Sequence, residues 1–97
     1  MRSYDRSRTM KLIIAIVHHT DGEEILQALT GAHFSVTRIA SSGGFLRRGN
    51  ATLLVGAATD QVASAVQLIR EHSTPPVDPG LKRATVFVLN VDRYEQV

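Results

Sequence analysis

The chain has 97 residues, enough for one domain with a single two-layer core and too few for a second. Its composition, 43% hydrophobic and 21% charged, is ordinary for a globular protein, and no apolar run approaches the roughly 20 residues needed to span a bilayer. Arg2, Arg6 and Arg8 set against Asp5 account for the whole formal charge of +2, which leaves no basic surface for a nucleic-acid polymer, and the absence of cysteine excludes disulfides, thiolate zinc sites and cysteine nucleophiles.

Residues 1–9 are polar and read as a disordered leader ahead of one domain over residues 10–97, with Met10-Lys11 itself a natural start. They lack the apolar segment of a secretory signal, which together with the missing cysteines points to the cytoplasm. Residues 12–17, Leu-Ile-Ile-Ala-Ile-Val, form a β-branched run short enough for a strand buried on both faces, β1. His18 to Gly22 interrupt it. Thr20 or Asp21 can cap a helix, α1, that carries Ile25, Leu26, Ala28 and Leu29 at helical spacing and ends at Gly31. Phe34, Val36 and Ile39 mark β2, where Val36-Thr37-Arg38-Ile39 is too β-branched to favour helix. Residues 52–57 read as β3. Thr59 or Asp60 can cap α2, whose apolar positions Val62, Ala63, Val66, Leu68 and Ile69 run to about His72. Pro75, Pro76, Pro79 and Gly80 make residues 73–80 a connecting loop, residues 84–91 supply β4, and residues 92–97 form a short tail.

The order β1-α1-β2-β3-α2-β4 predicts an α+β, ferredoxin-like arrangement, because two right-handed βαβ crossovers place both helices on one face of a four-stranded sheet. Both alternations of β1, β3 and β4 are apolar, more than a sheet face left in water requires. A partner subunit is therefore expected to cover the other face.

Between β2 and β3 lies the most chemically distinctive stretch, Thr37-Arg-Ile-Ala-Ser-Ser-Gly-Gly-Phe-Leu-Arg-Arg-Gly-Asn-Ala-Thr52. Gly43 and Gly44 permit close backbone approach, Arg47 and Arg48 bring positive charge, and Asn50 offers a paired donor and acceptor, a combination that suits a nucleotide's phosphate and base.

These residues resemble the PII-like cyclic di-AMP receptor family, also described as nitrogen-regulatory PII-like signalling proteins. The resemblance runs through residues 10–17, through residues 34–56 with the loop Ser42-Gly-Gly-Phe-Leu46 closing on Gly49-Asn-Ala-Thr52, and through residues 84–91 and Gln96. It implies a PII-like homotrimer, without catalysis or cofactor, that binds an adenine nucleotide, cyclic di-AMP foremost, in clefts between subunits and signals to an unidentified downstream protein. On this resemblance Thr37 would hydrogen-bond the adenine, and Asn50 with the backbone at Gly56 would read its edge. Gly44, Phe45, Leu46 and Arg47 would form the loop over the ligand, while Phe87 and Gln96 would come from a neighbouring subunit. Ser35 departs from the family, whose members carry arginine or lysine there, and His33 stands at a nearby asparagine position. Losing a charge-assisted hydrogen bond weakens binding by about 1.5 to 3 kcal/mol. Either Arg47, Arg48 or His33 compensates, or the ligand is ATP, ADP or another anionic metabolite. A structural oligomer without a ligand is the third reading. The segment of residues 73–83 is also shorter than the corresponding loop of relatives.

Other chemistries fit the residues poorly. Gly44 to Gly49 has the glycine spacing of a phosphate-binding P-loop, but Asn50-Ala51 replaces the Lys-Ser/Thr pair and a strand follows in place of a helix. His18, His19, His33 and His72 have no spacing that puts two ligands on one helix face, so no metal site is expected. Asp21, Glu23 and Glu24 lie at a helix start, where carboxylates answer the helix dipole, and no serine sits in a nucleophile elbow. The strands carry too little aromatic and basic character for an RNA-recognition surface.

Overall fold

The structure, a computed structural model, describes residues 10–39, 49–75, 83–93, 95 and 97. β1 (Met10–His18) leads through a 3₁₀ turn, His19–Asp21, into α1 (Gly22–Gly31), followed by β2 (Ser35–Ile39) and β3 (Asn50–Ala58). A second 3₁₀ turn, Thr59–Gln61, opens α2 (Val62–Glu71), and β4 is Ala84–Asn90. The sheet order is β2-β3-β1-β4 with every neighbouring pair antiparallel. This is the expected α+β, ferredoxin-like arrangement. β1 and β3 run longer than their apolar cores because they pair along their whole length, from Met10 opposite Ala58 to His18 opposite Asn50. Asn50 is thus the first residue of a strand, not part of the preceding loop.

One alternation of the strands meets the helices. Ile13, Ala15, Leu53 and Val55 are wholly buried, and Ile25 and Leu29 from α1 with Ala65 and Ile69 from α2 join them in one core. The i, i+4 spacing of each helical pair puts both members on one face. Fully burying one such aliphatic side chain stabilises the fold by about 1.5 to 3 kcal/mol.

The helix ends depart from the expected caps. Asp21 occupies the position before α1, but its carboxylate makes no capping bond. Instead it accepts hydrogen bonds from the Thr74 amide at 2.9 Å and the Thr74 hydroxyl at 2.6 Å, tying the start of α1 to the segment after α2. The Ser73 hydroxyl donates to the Ile69 carbonyl at 2.6 Å, and His72 Nδ1 lies 2.7 Å from Glu24 Oε2 across the same junction. Before α2 the cap position belongs to Gln61, since Thr59 and Asp60 fall in the 3₁₀ turn. α1 does end at Gly31, yet the left-handed residue is His33, with φ 71°. The Phe34 amide bonds the Leu29 carbonyl and the His33 amide the Thr30 carbonyl, a Schellman closure whose left-handed position glycine or asparagine usually fills. Phe34 therefore belongs to the turn and not to β2, and packs against the core.

The opposite sheet face carries Leu12, Ile14, Ile16 and Leu54, all half-buried, and at its edges Ile39, Phe87 and Leu89, exposed at 39%, 51% and 46%. Among the described residues no helix is long and apolar enough to cross a membrane.

Candidate functional site

The open face contains a cleft of about 390 Å³ lined by Met10, Lys11 and Leu12 of β1, Ser35 and Thr37 of β2, Leu54 and Gly56 of β3, and Val91. Its shape follows from register. Ser35 and Leu12 flank Gly56 in a single row across the sheet. With no side chain at Gly56, that row has a notch in its middle, about 10 Å wide from two strand spacings. In the next row Thr37 stands opposite Leu54, which stands opposite Ile14, which stands opposite Phe87. The cleft thus offers two hydroxyls that both donate and accept, and an apolar floor and wall. A flat, hydrogen-bonding ring matches those features.

Of the residues singled out from the sequence, the structure brings Ser35, Thr37 and Gly56 together. Phe87 shares the row of Thr37 but lies at the opposite edge, about 14 Å away by three strand spacings, with Leu54 and Ile14 between them. Within one chain the two do not meet. Asn50 is on the same face but four residues along β3 from Leu54, about 13 Å, and pairs with His18 outside the cleft. Gly44, Phe45, Leu46, Arg47, Arg48 and Gln96 lie outside the described residues.

Two features escaped sequence reasoning. Lys11 borders the cleft, while its side chain belongs to the helix-covered alternation, where its ammonium donates to Asn90 Oδ1. Thr52, between Ile16 and Ile39 in register, is only 5% exposed, and its hydroxyl has no hydrogen-bond partner among the described residues. The Gly-Asn-x-Thr pattern was the signal available for Thr52.

A four-stranded antiparallel sheet in this order, with two helices on one face and a polar-edged cleft on the other, defines a ferredoxin-like α+β domain. The sequence profile of the cyclic-di-AMP receptor family matches residues 10–75, and the chain belongs to that family. Among solved structures, it is similar to a functionally unknown protein from Pediococcus pentosaceus ATCC 25745, with 31% identity, a TM-score of 0.74, and 92% of this chain and 98% of that one covered. A DUF3240 family protein from Shewanella baltica OS155 shares the fold, with a TM-score of 0.66 at 13% identity over 92% of this chain and 97% of the other.

Proposed function

We propose that this protein is a non-enzymatic cytoplasmic receptor that assembles through its residue 10–97 domain as a PII-like homotrimer. It binds an adenine nucleotide, cyclic di-AMP foremost, in clefts between subunits and passes the occupied state to a downstream protein. The observation that carries this reading is the separation of Thr37 and Phe87. Both sit on the same row of the open face, one on each edge strand, so a neighbouring subunit that sets its β4 beside β2 would bring its Phe87 to Thr37. The same contact would cover Ile39, Phe87 and Leu89, whose exposure in a single chain is costly at about 25 cal/mol per Å² of apolar surface. Thr37 would hydrogen-bond the adenine, with Gly56 admitting the ring and Asn50, Gly44, Phe45, Leu46, Arg47 and the neighbour's Gln96 completing the enclosure.

A second reading keeps the trimer and replaces the dinucleotide with ATP, ADP or another anionic metabolite. The observation favouring it is Ser35, a neutral hydroxyl in the cleft where the family carries a cation. Calorimetry of the wild-type protein with cyclic di-AMP, ATP and ADP, alongside light scattering, separates the two. Tightest saturable binding by cyclic di-AMP supports the first reading and preference for a mononucleotide the second, while a trimer that binds nothing in the panel is a structural oligomer.

A further inference from the structure

We propose that Thr52 is a positioning residue for Asn50, its hydroxyl holding one end of the Asn50 amide so that the other end faces the ligand. The inference rests on the nucleotide reading above, which assigns Asn50 to the ligand, and adds to it the residue that aims the amide. Thr52 lies on the open face of β3, is only 5% exposed, and its hydroxyl is buried with no hydrogen-bond partner among the described residues. An unpaired buried hydroxyl costs free energy that a valine of nearly the same shape would not. Threonine at this place is a liability to the free chain unless a partner reaches the hydroxyl when the ligand is bound.

The surroundings of Thr52 single out that partner. Across the sheet it stands between Ile16 on β1 and Ile39 on β2, both aliphatic. Along β3 the residues on the same face are Leu54 on one side and Asn50 on the other. Of these four in-line neighbours only Asn50, about 7 Å along the strand and half-buried, can hydrogen-bond. The polar residues on the diagonals, Thr37 and His18, are about 7 to 8 Å away and exposed, whereas the Thr52 hydroxyl is shut off from water. An amide carries an acceptor oxygen at one end and two donors at the other. With its oxygen accepting from the Thr52 hydroxyl, Asn50 would turn its NH2 group outward, toward the acceptor nitrogens of an adenine. Without that hydroxyl the amide can rotate by half a turn and present either end. The Gly-Asn-x-Thr spacing thereby has a physical reason, since residues two apart on a strand share a face.

The test is calorimetry with cyclic di-AMP and with ATP on wild type, Thr52→Val, Thr52→Ser, Asn50→Ala, Thr37→Val and the double variant of Thr52→Val with Asn50→Ala, together with thermal melting in the absence of nucleotide. Thr52→Val should weaken binding about five-fold, the size of one neutral hydrogen bond, and should melt no lower than wild type because it removes an unpaired hydroxyl. Thr52→Ser should retain most of the affinity. In the Asn50→Ala background Thr52→Val should weaken binding no further, since a hydroxyl that acts through Asn50 has nothing left to hold. Where circular dichroism shows that Thr52→Val does not fold, Thr52→Ala removes the same hydroxyl and carries the same expectations for binding. Three results would overturn the role of Thr52 while a weakened Thr37→Val leaves the nucleotide reading standing: full affinity in Thr52→Val, an undiminished loss in the double variant, or full affinity in Asn50→Ala. A lower melting temperature of Thr52→Val would show a hydroxyl already bonded in the free protein and overturn it as well. Wild-type protein that binds neither probe would overturn both readings.

Discussion

Ser35 on β2 stands directly opposite Gly56 on β3, and a Cβ added to Gly56 would lie 3.9 Å from the Ser35 Cβ. That is ordinary van der Waals contact, so crowding at the backbone does not account for the glycine. A glycine inside a strand gives up packing and chain entropy, and a recurrent reason for one is close approach by a ligand. Here the bare backbone is the floor of the cleft.

Gly56→Ala should therefore leave the fold intact, while Gly56→Leu should fill the notch and weaken nucleotide binding about ten-fold or more, a loss of at least 1.4 kcal/mol. Thermal melting and calorimetry on both variants check this. Full affinity in Gly56→Leu would move the ligand elsewhere.

Thr37→Val tests the hydroxyl at nearly constant volume. It should weaken binding several-fold to ten-fold, since a base left facing a methyl loses a partner worth about 1 kcal/mol. Asn50→Ala should weaken binding comparably while leaving the assembly intact. Because Asn50 lies outside the cleft of a single chain, an effect at Thr37 without one at Asn50 would confine the ligand to the Gly56 end.

The left-handed turn at His33 makes a stability prediction independent of any ligand. A non-glycine residue there carries a cost that asparagine largely relieves. His33→Asn should stabilise the protein by about 0.5 to 1 kcal/mol in chemical denaturation. A destabilised variant would show that the imidazole makes a compensating contact.

Asp21 joins two segments 53 residues apart through Thr74. Asp21→Ala should cost about 1 to 3 kcal/mol, because it leaves both Thr74 donors without their acceptor in a partly buried place. Thr74→Val, which removes only the hydroxyl bond, should cost less. Equal losses would assign the effect to something other than this junction.

Much of the architecture was legible because its signals are local. The unbroken β-branched run of residues 12–17 is short enough for a strand, and Ile25 with Leu29 has the helical period, so elements and order follow from local pattern. The side of β1 that meets the helices was not legible, since Leu12, Ile14 and Ile16 are as apolar as their neighbours and only the crossovers decide. The capping expectation at Asp21 failed because its carboxylate is taken by Thr74, a partner distant in sequence. At the site, Ser35, Thr37 and Gly56 were singled out by the family resemblance; Ser35 and Thr37, two apart on β2, share a face, and only the register brings Gly56 to them. The loop residues Gly44 to Arg47 lie outside the described residues.

A charge at the exposed apolar edge should act on assembly and, through it, on binding. Phe87→Asp should shift the proposed trimer toward monomer in light scattering and abolish nucleotide binding with it, because the neighbour's side of the pocket goes too. A trimer that survives this change would place the interface elsewhere.

The most direct test of the account is a titration of wild-type protein with cyclic di-AMP, with the subunit number measured by light scattering in the same buffer. The account predicts a trimer that binds saturably at one ligand per subunit and binds more weakly as salt rises. A monomer at micromolar concentration, or a protein that takes up neither cyclic di-AMP nor any adenine mononucleotide, would contradict it.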